Sequence, residues 1–154
     1  MEVRYCENVP TPVGTVCLSA DESGITGISF GPGRENGGCP LTALARRQLE
    51  EYFAGQRRDF DLPLSPAGTE FQRRVWALLR EIPYGETVTY GELARRLGNP
   101  RAARAVGMTC NRNPIPIVIP CHRVIGSTGS LTGYAGGLDA KAYLLTLEGV
   151  HTNE

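Results

Sequence analysis

The sequence predicts an α/β (α+β) chain in two parts, a small β-sheet unit followed by a mainly helical unit with a helix-turn-helix motif. Three observations predict it. Short β-prone segments separated by turn residues crowd the first thirty positions. Thr-x-x-Gln and Thr-x-x-Glu capping boxes at Thr69/Gln72 and Thr89/Glu92 then announce helices. Between the two regimes, Pro63 and Pro66 break any regular element. At 154 residues, 41% hydrophobic and 21% charged, the chain can bury a core in one domain or two small ones. The boundary is set at 66/67, giving an N-terminal meander, helix and linker over 1–66 and a C-terminal unit over 67–154.

In order, the N-terminal strands are expected over Val3–Glu7, Thr15–Ala20 after Pro12-Val13-Gly14, and Ile25–Phe30 after the turn at Asp21-Glu22-Ser23-Gly24. Residues 31–40, rich in Gly and Pro, form a loop. Leu41, Leu44, Ala45, Leu49, Tyr52 and Phe53 then recur at helical spacing until Gly55, and residues 56–66 read as linker.

The second unit opens with a helix from Thr69, its apolar face made by Phe71, Val75, Leu78, Leu79 and Ile82, and Pro83-Tyr84-Gly85 ends it. A short helix runs from Thr89 to Leu97. Gly98 supplies a tight turn, Asn99 an N-cap and Pro100 a first helical residue, so that a second helix follows from Arg101 to about Cys110. Helix, glycine turn, helix is the helix-turn-helix pattern. Residues 126–137 form a Gly, Ser and Thr loop, and a last helix runs from Leu138 to Glu148, stopped by Gly149.

The stretch Ile115-Pro116-Ile117-Val118-Ile119-Pro120-Cys121-His122-Arg123-Val124-Ile125 is too apolar for a surface loop. It reads as a buried strand that Pro116 and Pro120 keep from pairing throughout. At its end a thiol is followed by an imidazole that can take its proton and a guanidinium that can stabilise the thiolate. A buried structural cysteine is the bland alternative. Neighbouring side chains on a strand face opposite ways, so a direct Cys121–His122 contact is not expected.

Five cysteines at irregular spacing do not make a secreted disulfide framework, and no CxxC pattern accompanies the two histidines. Reduced thiols are the default; whether Cys6, Cys17 and Cys39 bind metal or pair is left open. Glu2, Arg4 and Glu7 lie within the first residues and no apolar run is long enough to cross a bilayer, so a cytoplasmic protein without membrane contact is expected. The zero net charge hides an asymmetry. Residues 1–66 carry six basic and nine acidic side chains, and 67–154 carry ten and seven. From Leu93 to Leu138 there are six arginines and no acid. So one-sided a run points to a polyanion such as nucleic acid, although a solvated face is the ordinary reading of charge.

Pro120-Cys121-His122-Arg123-Val124, with Asn113-Pro114-Ile115-Pro116 and Gly98-Asn99-Pro100-Arg101-Ala102-Ala103-Arg104-Ala105-Val106-Gly107 before it, resembles the O6-alkylguanine-DNA alkyltransferase family. The match runs ungapped from about Phe71 to Gly149; over 1–66 only the layout is similar. The resemblance implies a ribonuclease-H-like N-terminal sheet and a C-terminal helix-turn-helix that binds double-stranded DNA through the minor groove. It implies a monomer that turns out O6-alkylguanine, and O4-alkylthymine, and accepts the alkyl group irreversibly. No cofactor or metal is implied, since the histidines some relatives use for zinc are missing.

By the same resemblance Cys121 is the acceptor, His122 its base through a water, Glu148 the group that orients His122, Tyr90 the donor to guanine N3, and Asn113 the turn former before the acceptor. Arg104 enters the base stack, with Arg101, Ala102, Ala103, Thr89 and Arg123 as further DNA contacts. Val124, Tyr134, Ala135, Gly136, Pro116 and Lys141 surround the substrate, although a lysine early in a helix is ordinarily solvated. A damage sensor that binds without transfer is the alternative in another class, and Cys121 argues against it. A Cys-His hydrolase needs a histidine facing the thiol.

Overall fold

The computed structural model describes residues 4–151, and within it the chain divides into two compact units, Met1–Ala67 and Gly68–Glu154. In the first, β1 (Tyr5–Val9), β2 (Val16–Ala20) and β3 (Ile25–Phe30) form an antiparallel meander in the order β1-β2-β3. Val9, Val16, Leu18, Ala20, Ile25 and Ile28 are buried under α1 (Pro40–Phe53), whose core face is Ala45, Leu49 and Tyr52. Pro40 at N1 suits a helix start, where its missing N–H would be unpaired in any case. Glu7 ties the sheet to the helix by accepting from Thr42 Oγ1 and from Arg46, both at 3.1 Å.

Two expectations shift here. Among the described residues the first strand runs from Tyr5 past Glu7 to Val9, because its register is set by pairing Tyr5 with Ala20 and Val9 with Val16. Val3 lies outside the described residues. Residues 56–66 are not a free linker. Ile25 N–H donates to Pro63 O and Ser65 N–H to Ile25 O, both at 2.8 Å, so Leu64 lies beside β3 as a short parallel bridge. Buried Gln48 adds a clamp, donating to Asp61 O at 3.0 Å and accepting from Asp61 N–H at 2.9 Å.

The second unit packs α2 (Glu70–Leu79), α3 (Tyr90–Arg96), α4 (Ala103–Asn111) and α5 (Leu138–Leu147) around Val75, Trp76, Leu79, Leu93, Val106, Leu144 and Leu145. Both capping boxes form, with Thr69 accepting from Gln72 N–H and Thr89 from Glu92 N–H. Buried Trp76 donates from Nε1 to Thr109 O at 3.1 Å, which locks α2 to α4. The helix-turn-helix is α3, a turn with Gly98 at φ 82°, and α4. Its second helix starts later than Arg101: Pro100–Ala102 is a 3₁₀ turn capped by Asn99, and the α-helix begins at Ala103.

The stretch 115–125 is buried as expected but is not a strand. Ile119 N–H returns to Ile115 O at 2.9 Å, Ile117 takes φ 75°, Cys121–Arg123 is a 3₁₀ turn, and only Val124–Ile125, as β5, is extended. The two prolines remove ladder donors within a few residues, so the chain closes on itself instead of pairing. β5 lies parallel to β4 (Val88–Thr89), with Val88 opposite Val124. This pairing brings the start of α3 beside the Cys121 turn.

Gln48→Leu should leave Asp61 N–H and C=O without partners and lower stability by about 1–3 kcal/mol. Urea unfolding of the variant, with the slope unchanged, is the check.

Candidate active site

The site is built on the turn 113–123. Asn113 is buried, donates from Nδ2 to Ile119 O at 2.8 Å and accepts from Ile115 N–H at 2.9 Å, so its side chain braces the turn from inside. Ile117, a β-branched residue with positive φ, is a strained position that only a well-determined surrounding can hold. The result is that Cys121 sits at the turn's end with its thiol almost wholly buried. Burial pushes that thiol above its ordinary value, while the Asn113 hydrogen bond, the Lys141 charge and its own N–H pull it down.

His122, Arg123 and Glu148 are buried together. Glu148 caps the C-terminus of α5 and accepts from Arg123 Nε at 2.8 Å, from Arg123 Nη2 at 3.0 Å and from Gly85 N–H at 3.4 Å. His122 Nε2 lies 2.8 Å from Glu148 Oε2. A carboxylate paired bidentately with arginine accepts, so Nε2 carries the hydrogen and Nδ1 presents a lone pair. Nδ1 has no protein partner among the described residues. Burial drives His122 below its ordinary value, opposed by the Glu148 hydrogen bond and charge. A neutral, oriented imidazole next in sequence to a buried thiol can act as its base through a bridging water.

Lys141 is wholly buried, against the expectation of a solvated lysine early in a helix. Its Nζ donates to Val124 O at 2.7 Å and Thr132 O at 3.1 Å, because the loop 126–137 folds over the first turn of α5. Burial lowers its value, and the nearby Cys121 and Cys110 thiols oppose this. Tyr90, first residue of α3, shares a hydrogen bond of 2.5 Å with Thr132 Oγ1. A hollow of about 380 Å³ is lined by Tyr90, Arg104, Gly107, Met108, Asn111 and Thr132, among others.

Arg123 requires a correction. It is neither a DNA contact nor a partner for the thiolate, since it is buried and its donors are taken by Glu148 and by Ile82 O at 2.6 Å. Ala102 is also buried, in the 3₁₀ turn, so its methyl cannot face a partner. Arg101 and Arg104 are exposed, and Thr89 and Ala103 are half-buried. Pro116 and Val124 are buried, Tyr134 and Gly136 half-buried and Ala135 exposed, in the loop that Gly137 N–H closes onto Tyr134 O at 2.9 Å. Sequence reasoning passed over Thr132 and Cys110. Thr132 carried no signal beyond its place in a polar loop, and Cys110 stands at helical spacing in α4 as any core residue would. All five cysteines are free, no group of three or more potential metal ligands forms among the described residues, and no helix among those residues is long and apolar enough to cross a membrane.

Comparison with known proteins gives matches over both units. The 6-O-methylguanine DNA methyltransferase DNA-binding domain matches residues 70–150, and the ribonuclease-like domain of that family matches residues 4–66. A methylated-DNA–protein-cysteine methyltransferase of Methanosarcina acetivorans is 53% identical over 147 residues, 90% of this chain and 94% of its own. The crystal structure of Mycobacterium tuberculosis O6-methylguanine methyltransferase superposes with a TM-score of 0.87 at 40% identity, over 99% of this chain and 97% of that one. Mycobacterium tuberculosis OGT in complex with DNA gives 0.86 at 43% identity, over 94% and 92%. With both of its units matched and this level of identity along nearly its whole length, the chain belongs to the methylated-DNA–protein-cysteine methyltransferase family, whose members are alkyl-transfer DNA repair enzymes.

Proposed function

We propose that this chain, acting as a monomer, repairs O6-alkylguanine, and O4-alkylthymine, in double-stranded DNA by moving the alkyl group to Cys121 once per molecule. The observation that carries the reading is the buried Cys121 thiol, held between Asn113 and Lys141 and next in sequence to an imidazole that Glu148 orients through Nε2. α4 enters the minor groove, Arg101 meets the backbone, and Arg104 takes the place of the base turned out of the stack. Extrusion costs roughly a few kcal/mol, which the inserted guanidinium offsets.

In the reaction His122 Nδ1 accepts the thiol proton through a water, and Glu148 holds the imidazolium that forms. The thiolate develops beside the Asn113 side chain, its own N–H and the Lys141 charge. Sγ forms a bond to the alkyl carbon as the carbon–O6 bond breaks. The electron pair passes to the guanine ring, where Tyr90 donates a proton to N3. The thioether has no polarised carbonyl for water to attack, so the acceptor is spent. A sensor that binds without transfer would have no use for this activated thiol.

Intact mass after incubation with an O6-methylguanine oligonucleotide should rise by one methyl in place of hydrogen, on Cys121. Cys121→Ala should bind the duplex and gain nothing, and repeated turnover by unmodified protein would remove the proposal.

The pH profile carries the sign of the His122 shift. Neutral His122 is the working form and burial holds it below 6.5, so the transfer rate should stay level as pH falls through 6.5 and decline only below. Glu148→Gln removes a charge that raises His122, so its acid limb should move lower still while the plateau drops roughly 10–100-fold. Single-turnover rates across pH test both statements; an acid limb moving upward in the variant contradicts them.

Arg104→Ala should slow repair of duplex DNA more than transfer from a free O6-benzylguanine base, and wild-type affinity should fall steeply with salt. Equal slowing of the two substrates would exclude insertion of Arg104 into the stack.

A further inference from the structure

Tyr90 and Thr132 are forty-two positions apart and lie on unrelated elements, yet their hydroxyls meet at 2.5 Å. Both ends of this contact are fixed. Tyr90 opens α3, where Thr89 caps the helix and pairs with β5, and its ring lies against α4 so closely that a Cβ on Gly107 would touch it at 3.7 Å. Thr132 sits in an otherwise open Gly, Ser and Thr loop, but its carbonyl is held by the buried Lys141 ammonium at 3.1 Å, and Lys141 in turn holds Val124 O, three residues after Cys121. The loop backbone therefore cannot carry the hydroxyl away from Tyr90 without releasing a buried cation's acceptor. The pair also lines the hollow that contains Arg104.

We propose that Thr132 is a positioning residue for the transfer, its hydroxyl turning the Tyr90 O–H toward the departing base and donating to the phenolic oxygen as that proton leaves. The inference rests on the reading of Tyr90 as the donor to guanine N3. A phenol has one hydrogen, and once it points at the base its oxygen can still accept. As the carbon–O6 bond breaks, the ring nitrogen gains the Tyr90 proton and the phenolic oxygen keeps the electron pair. Thr132 retains its own hydrogen and shares it with that oxygen, so no further proton acceptor is needed. Burial pushes the Tyr90 phenol up and the Thr132 hydrogen bond works the other way, as expected for a group that stabilises the phenolate. Val at 132 would keep the β-branched shape and remove only the hydroxyl.

The test is single-turnover methyl transfer from O6-methylguanine duplex in Thr132→Val, Thr132→Ser, Tyr90→Phe and the Thr132→Val/Tyr90→Phe double variant. Thr132→Val should be roughly tenfold slower with unchanged duplex affinity, Thr132→Ser close to wild type, and the double variant no slower than Tyr90→Phe alone. A carbon-13 titration of tyrosine rings, with Tyr90 assigned by its loss in Tyr90→Phe, should place the Tyr90 phenol at higher pH in Thr132→Val. Should Thr132→Val fail to fold, Thr132→Ala carries the same expectations. Equal slowing by Val and Ser, or multiplying effects in the double variant, would overturn the inference by making Thr132 a packing residue. Full speed in Thr132→Val with a slow Tyr90→Phe sinks this inference alone, whereas full speed in Tyr90→Phe sinks the reading of Tyr90 beneath it. Methylation of Cys121 is judged separately by mass in each case.

Discussion

The second unit depends on one buried ion pair. Arg123 and Glu148 exchange two hydrogen bonds out of water, and around them gather Ile82 O from the turn after α2, Gly85 N–H from the following loop, His122 from the 3₁₀ turn and the C-terminus of α5. Burying either charge alone would cost several kcal/mol, and the Coulombic return is secured only by good geometry and by satisfying the remaining donors and acceptors. That condition is met on both sides. The carboxylate accepts from arginine, imidazole and backbone, and the guanidinium reaches a carbonyl beyond it. Such a pair contributes little net stability against an apolar replacement, but it permits one arrangement of four segments. His122 takes its tautomer from that arrangement, and the chemistry proposed for Cys121 follows from the tautomer.

The turn that carries Cys121 is the second constraint. A strand would send Cys121 and His122 to opposite faces, whereas the 3₁₀ turn lets both be buried while β5 continues beside β4. The arrangement costs something at Ile117, where positive φ in a β-branched residue stores on the order of 1–3 kcal/mol. Asn113 offsets it by filling the inside of the turn with two hydrogen bonds and by reaching the thiol as well. One side chain thus fixes the backbone and lowers the cost of the charge that the thiol must bear.

Local signals were legible in the sequence wherever the physics is local. Both capping boxes, Gly98 with Asn99 and Pro100, and the end of α5 near Gly149 stand where their residue types require. Long-range effects were not. Residues 56–66 read as linker because prolines disfavour strand, yet the backbone groups at Pro63 and Ser65 pair with Ile25 through geometry that no window of sequence contains. The stretch 115–125 showed its burial in composition and hid its conformation, since apolar β-branched residues look the same in a strand and in a strained, buried turn.

Charge was the least legible property, for a reason that the site makes plain. A count of arginines between Leu93 and Leu138 treats them as one face, but the fold sorts them: Arg95, Arg96, Arg101 and Arg104 are exposed along the helix-turn-helix, and Arg123 is enclosed with Glu148. Lys141, which sequence reasoning would leave in water, is buried with two carbonyls as partners. The exposed cations can attract a phosphate backbone and release its counterions, a contribution that falls with salt. The buried ones are little screened by salt and act at the thiol, the histidine and the loop over α5. Under the proposed function, binding and chemistry therefore draw on two separate sets of positive charge, and a change in ionic strength should separate them.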